Sequence, residues 1–424
     1  MKIFFTVLFI LSMIYFITAQ GIVTTVNASD VNIRDGAGLD KKIIDQLQKG
    51  EELILIDVQG GWYYVEYREN KRGWIFKDFV LSATPVVKNT PPAINTPVIT
   101  PVPEISKEKI VFATASGLRI INNDGTNLQS LTDVEGDNFP VWSPDGKKIV
   151  FINYREGRNL YVINSDGKGR KKITENLSVM PYIEWLKNGK TMFFGVEFSE
   201  NLYYTNIFAL AEGGKVKNIS QKKDNSDSHP LLAPDNSLIA FCSRRDRNSE
   251  VYIMKPDGTN QRNLTVHPAE DVPGCWSKSS KSIVFTSNRD SDYKTLKMTP
   301  SPREIYLVKL ETMQVINLTN NSRDDYNPVV SPDGNKILFL SDRNSDQRKD
   351  YSSIFVMKST GKDVIEITDI DGDKSNISWS RDGSEILFQV NSGGTDYIYI
   401  ADIKGKNKPF LLTEGFSPQW CQKQ

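Results

Sequence analysis

Between residues 107 and 424, short apolar runs and polar turns return as one pattern about every 45 residues. Each unit opens with a strand ending near Trp, as in PVWSPDG from Pro140, EWLKNG from Glu184, PLLAPDN from Pro230, CWSKSS from Cys275, PVVSPDG from Pro328 and SWSRDG from Ser378. A tight turn leads to an apolar strand of the Lys-Ile-Val-Phe type, which occurs seven times and ends at Phe112, Phe151, Phe194, Phe241, Phe285, Phe339 and Phe388. A third strand follows, then a fourth that closes on Thr132, Thr174, Ser220, Thr265, Thr319, Thr368 and Thr413. Four strands per unit and seven units predict an all-β fold with a seven-bladed β-propeller. The segment starts at a second strand and finishes on a lone Trp strand. Pro418 to Trp420 should therefore complete the first blade and close the ring. Five tryptophans, Trp142, Trp185, Trp276, Trp379 and Trp420, share one repeat position, which reads as packing at the joints between blades.

Ahead of the repeats the pattern changes twice. Residues 22–83 carry alternating stretches such as ELILIDV and WYYVEY, separated by Asp35-Gly36, Lys49-Gly50 and Gly60-Gly61, which predicts a small β barrel. Residues 84–106 hold six of the chain's twenty prolines and no hydrophobic periodicity, as an extended polyproline-like linker would. Residues 1–19, MKIFFTVLFILSMIYFITA, read as a signal peptide: one Lys, an apolar run and a small terminal Ala19. The expectation is an exported protein, periplasmic or secreted, with no stable membrane span once the signal is cleaved. An uncleaved anchor is the alternative.

Charge and composition then narrow the chemistry. Lys+Arg and Asp+Glu are both 52, so no global field exists to hold a polyanion, and nucleic acid is not an expected partner. Three cysteines, Cys242, Cys275 and Cys421, allow at most one disulfide. With only two histidines, His229 and His267, neither a zinc site nor His-based catalysis is expected; the reading includes no cofactor and no metal. The segment DIDGDKSN from Asp369 has a calcium-like composition, but its Gly is fourth where an EF-hand loop needs it sixth.

Strand order assigns the loops to faces. The turns between first and second strands and between third and fourth strands share one face and are short, as at Asp145-Gly146, Asp166-Gly167, Asp257-Gly258 and Asp333-Gly334. Long charged loops crowd the other face, a rigid scaffold presenting a binding surface. On that face an Asp precedes the innermost strand at Asp137, Asp227, Asp271, Asp325 and Asp373, and an Arg follows the second strand at Arg155, Arg245, Arg289 and Arg343. Two readings stand: an acidic collar at the channel mouth that takes a basic segment or a cation, or turn-capping Asp residues paired with the Arg residues.

Two resemblances sharpen this. The order VNIRDGAG, LQKGEELILI, GGWYYVEY and KRGWIFKDFV over residues 22–83 resembles the bacterial SH3-like domain. That resemblance implies a five- to six-stranded barrel of exported proteins that touches peptidoglycan, with Arg34, Trp62, Tyr63 and Trp74 near a groove. The units SPDGKKIVF at Ser143 and SPDGNKILF at Ser331 resemble the TolB-type propeller repeat, which dipeptidyl-peptidase relatives also carry. TolB resembles a six-bladed ring, so six blades is the alternative count. With no GxSxG motif in the sequence and no hydrolase segment expected after the repeats, a dipeptidyl-peptidase activity is not expected. The expected function is a non-enzymatic, monomeric envelope adaptor, its propeller binding an envelope protein or peptide and its barrel contacting peptidoglycan. The competing function is a propeller enzyme, a lyase or hydrolase with carboxylates at the channel mouth.

Overall fold

The computed structural model describes residues 22–26, 29–36, 41–59, 62–68, 71–80, 108–198, 204–221, 226–290, 302–344, 351–368, 370–404 and 408–421. The expected signal peptide and proline-rich linker lie outside these residues, as do residues 291–301 and 345–350 of the two longest loops. The chain divides into two compact units, one up to Pro103 and one from Glu104. Among the described residues no helix is long and apolar enough to cross a membrane.

The first unit is a six-stranded antiparallel sheet of β1 (Ile22–Thr25), β2 (Val31–Arg34), β3 (Ile43–Leu47), β4 (Glu52–Gln59), β5 (Trp62–Tyr67) and β6 (Lys71–Phe76), in the order β1-β4-β5-β6-β2-β3. Alternation along these strands turns Val31, Ile33, Leu47, Leu53, Val65, Tyr67 and Ile75 into one core. Gly73 is required by that core, since a Cβ there would stand 2.3 Å from the Ile33 side chain.

The second unit contains seven four-stranded antiparallel sheets, each made of consecutive strands except one. The exception joins both ends of the unit. Phe416–Trp420 pairs with Lys109–Thr114, setting Trp420 against Ile110 and Gln419 against Val111, and the Cys421 N–H donates to the Lys109 carbonyl at 2.8 Å. We count sheets from this one. The inner strands are then Phe416–Trp420, Asp137–Trp142, Ser178–Trp185, Asp227–Leu232, Asp271–Trp276, Asp325–Val330 and Asp373–Trp379.

The repeat residues are explained by what they touch. Phe112, Phe151, Phe194, Phe241, Phe285, Phe339 and Phe388 of the second strands are all essentially inaccessible. The fourth-strand hydroxyls accept an N–H from the start of the third strand: Thr132 from Leu118, Thr174 from Leu160, Ser220 from Ile207, Thr265 from Val251 and Thr319 from Ile305. A short outer strand thus gains a side-chain bond where its ladder is thin. Three indoles clasp the preceding sheet, Trp142 Nε1 donating to the Gln419 carbonyl, Trp276 to Leu231 and Trp379 to Val329, at 3.3, 2.8 and 2.9 Å. An Asp-Gly turn seals a further joint, between the third and fourth sheets. Gly258, at φ 87°, lies so close to the Ile219 carbonyl of the preceding sheet that a Cβ would approach it to 2.3 Å.

Candidate functional site

The repeated Asp and Arg positions converge, because an antiparallel pair brings the start of each inner strand beside the end of its second strand. Asp227, Asp271 and Asp325 are fully buried, and each carboxylate accepts from an arginine: Arg245 at 2.8 Å, Arg289 at 2.6 Å and Arg343 at 2.8 Å. The local sequence dictates this. In Phe-x-Ser-x-Arg, the Ser hydroxyl accepts from the Arg Nε, as at Ser243 (2.7 Å), Ser287 (3.1 Å) and Ser341 (2.8 Å), and turns the guanidinium back over the Phe. Arg245 lies 5.5 Å from the Phe241 ring centroid and 4.6 Å from that of Tyr252, its partner across the ladder. Arg289 and Arg343 sit over Phe285 and Tyr306, and over Phe339 and Phe355, in the same way. Stacking on two rings and pairing with a buried carboxylate hold each guanidinium from both sides.

The second sheet departs from the pattern. Asn153 replaces the Ser and its amide donates to Asp137 at 2.6 Å, while Arg155 points to solvent and pairs with Glu135 at 3.1 Å. Arg170, from the turn before the fourth strand, fills the vacant place: it donates to Asp137 at 2.9 Å and covers the rings of Phe151 and Tyr161. Arg170 was not among the expected residues; Asn153 in place of Ser signals that Arg155 leaves the pattern but does not point to Arg170. Asp373 also differs, being exposed, with no arginine following Phe388 of its sheet. An open collar of five carboxylates is therefore not what forms: four are buried and charge-compensated, and one is exposed. Burial pushes the Asp271 carboxyl up to about 6 despite the pull of Arg289. One oxygen each of Asp227 and Asp271 is buried without a hydrogen-bond partner.

The same end of the inner strands carries a repeated bulge. Phe139, His229, Asn327, Asn376 and Ser417 take φ between 50° and 54° at the register shift of their strands. His229 hydrogen-bonds Ser228 at 2.9 Å and stacks on Tyr182 with ring centroids 3.8 Å apart. Burial depresses its pKa to about 4, leaving a neutral imidazole at pH 7. Among the described residues no three His, Cys, Asp or Glu side chains cluster closely enough to hold a metal ion; Asp369 is not described. Among the described residues, Cys242, Cys275 and Cys421 form no disulfide with one another.

In the barrel, the expected groove of Arg34, Trp62, Tyr63 and Trp74 is redrawn by strand alternation. Tyr63 packs against the barrel core, and Trp62 is buried edge-on to Phe76 at 5.3 Å. Tyr64 instead lies beside Trp74, ring centroids 5.1 Å apart, both partly exposed. Arg34 pairs with Trp74 across the ladder and donates to the Lys41 carbonyl at 2.6 Å. Arg34, Tyr64 and Trp74 form the surface that remains.

Comparison with known proteins places these two units. Residues 29–80 match the family model of the bacterial SH3 domain, and residues 178–339 match that of the dipeptidyl peptidase IV N-terminal region. The chain is 23% identical over 256 residues to an uncharacterized protein of Agrobacterium fabrum, covering 59% of this chain and 83% of that one. It is 26% identical over 137 residues to a TolB homolog of Chlorobium luteolum, 31% of this chain but 29% of that protein's length. An oligogalacturonate lyase solved with manganese superposes with a TM-score of 0.55 at 17% identity, covering 67% of this chain and 82% of the lyase, a likeness of fold. The chain carries a bacterial SH3-like domain followed by a TolB-type propeller.

Proposed function

We propose that the protein is an exported, non-enzymatic adaptor of the bacterial cell envelope. Its propeller binds an envelope protein or peptide through the long-loop face, and its SH3-like barrel contacts peptidoglycan. The observation that carries this reading is the pairing, in one chain, of a bacterial SH3 match with TolB-type repeats. The buried Asp–Arg pairs serve as the rigid base of the long loops, and Arg155 and Asp373 are their members open to solvent.

Co-sedimentation of the full chain with purified sacculi tests the barrel's part. Pelleting is expected, and Tyr64→Ala with Trp74→Ala should release most of the protein, since stacking on two aromatic faces is worth about 1–3 kcal/mol. Failure of the unaltered chain to pellet removes the wall contact. The rival reading, a propeller lyase or hydrolase, draws its support from the dipeptidyl peptidase match and would need free carboxylates. Those expected at the channel mouth are mostly bound to arginine. A turnover abolished by Asp137→Asn and Asp227→Asn with sacculus binding intact would favour the rival.

A further inference from the structure

At the opposite, short-turn end of the inner strands, one residue from each sheet stands at the same register. The ladders set Gln419 against Val111, Val141 against Val150, Glu184 against Phe193, Leu231 against Ala240, Cys275 against Val284, Val329 against Leu338 and Ser378 against Leu387. All seven are neither buried nor fully exposed, while the next residue in four of the strands is a buried Trp turned into a joint. A ring of part-accessible residues on the innermost strands lines an axial channel. Six carry no carboxyl, the Cys275 thiol being pushed up to about 12 by burial. Glu184 is the seventh, and its carboxyl ionises only above neutral pH.

A pocket of about 260 Å³ opens beside Glu184, walled by Trp142, Trp185, Leu232, Pro234 and Trp420. Desolvation is the one influence on the carboxyl, which no hydrogen bond or ion pair from the described residues offsets. The indole nitrogens of Trp185 and Trp420 are buried without an acceptor, whereas Trp142, Trp276 and Trp379 make the inter-sheet clasp. Lys187, the other charged residue of the pocket, is exposed at the rim. The site therefore offers one unpaired carboxyl group with aromatic and aliphatic walls, the two indole N–H groups being closed off from solvent. A divalent metal would find a single ligand, and a hydrocarbon would leave the carboxyl unpaired.

We propose that the short-turn mouth of the channel captures a primary alkylammonium group of the kind a lysine side chain presents. The ammonium pairs with Glu184, and its methylene stem lies along the Trp185 ring and Leu232. This site is separate from the long-loop face and stands whether or not that face binds a partner.

Titration calorimetry of the full chain with Nα-acetyl-L-lysine N-methylamide at pH 8.5 tests it, against the norleucine counterpart and pentylamine. Saturable binding of the lysyl probe is expected, with the norleucine probe and the Glu184→Gln variant each at least about tenfold weaker. Lowering the pH to 6.5 should weaken binding roughly twentyfold, because a carboxyl pushed up to about 8 must be ionised to hold the ammonium. Absence of saturable binding, or equal binding by Glu184→Gln or by the norleucine probe, overturns the proposal. Pentylamine, which carries the same ammonium on a similar stem, should bind as well, and its failure to bind would also overturn the proposal.

Discussion

Glu184 stands where the other sheets place Val, Leu, Cys, Val, Ser and Gln, so its carboxyl is a local exception in the repeat. Its carboxyl is raised from the ordinary range to about 8 by burial. The unfolded chain loses that proton near pH 4.5, the folded one near 8, so stability falls as pH rises through this window. Glu184→Gln should leave the melting temperature nearly unchanged at pH 5 and raise stability by about 2–4 kcal/mol at pH 9. His229 acts with the opposite sign. Its folded pKa of about 4 lies below the ordinary 6.5, so the unfolded chain binds the proton first and stability drops as pH falls from 6.5 to 4. Denaturant titrations of His229→Gln should lose that acid-side component, worth up to about 3 kcal/mol. Equal pH profiles for the variant and the unaltered chain would remove His229 as the cause.

Within the second, fourth, fifth and sixth sheets, the Asp–Arg–aromatic unit ties the inner strand to the second and third. Breaking a buried pair from one side strands a charge, so Arg289→Ala or Asp271→Ala should cost about 3–5 kcal/mol, while Asp271→Leu with Arg289→Met should cost far less. In the second sheet the loss should follow Arg170→Ala and not Arg155→Ala, which chemical denaturation distinguishes directly. This part of the architecture was legible because period-two strands and a fixed spacing put the same residue type at the same place each time. Asp227 with Arg245, Asp271 with Arg289 and Asp325 with Arg343 could be lined up from spacing alone. Arg170 could not, because it reaches Asp137 from a turn on the far side of the sheet, a contact that spacing along the second strand does not encode. Tyr63 and Tyr64 show the same limit at its smallest: adjacent aromatics on β5 are equivalent as letters, and only the choice of inward face, set by Val65 and Tyr67, separates them. Glu184 carries no signal in the sequence beyond its place in a strand, since a ring of seven positions has meaning only once the strands surround an axis.

At the scale of the whole ring, one sheet depends on residues from both ends of the unit. Trp420 and its neighbours cover Ile110, Phe112 and Leu387, so removing the chain after Glu414 would strip the inner strand from the first sheet and open the joint with the seventh. Such a truncation should melt well below the full chain, by more than the loss of one buried Trp, which alone is about 3–5 kcal/mol. A melting temperature unchanged by the truncation would mean that the ring is held elsewhere. Because Cys421 and Lys109 already share a hydrogen bond, the ring has no structural beginning: which joint holds the chain ends is an accident of connectivity. A circular permutant that bridges residues 108 and 421 by a few glycines and is cut at Asp257-Gly258 should therefore regain the same seven sheets, with its weakest seam moved three sheets round.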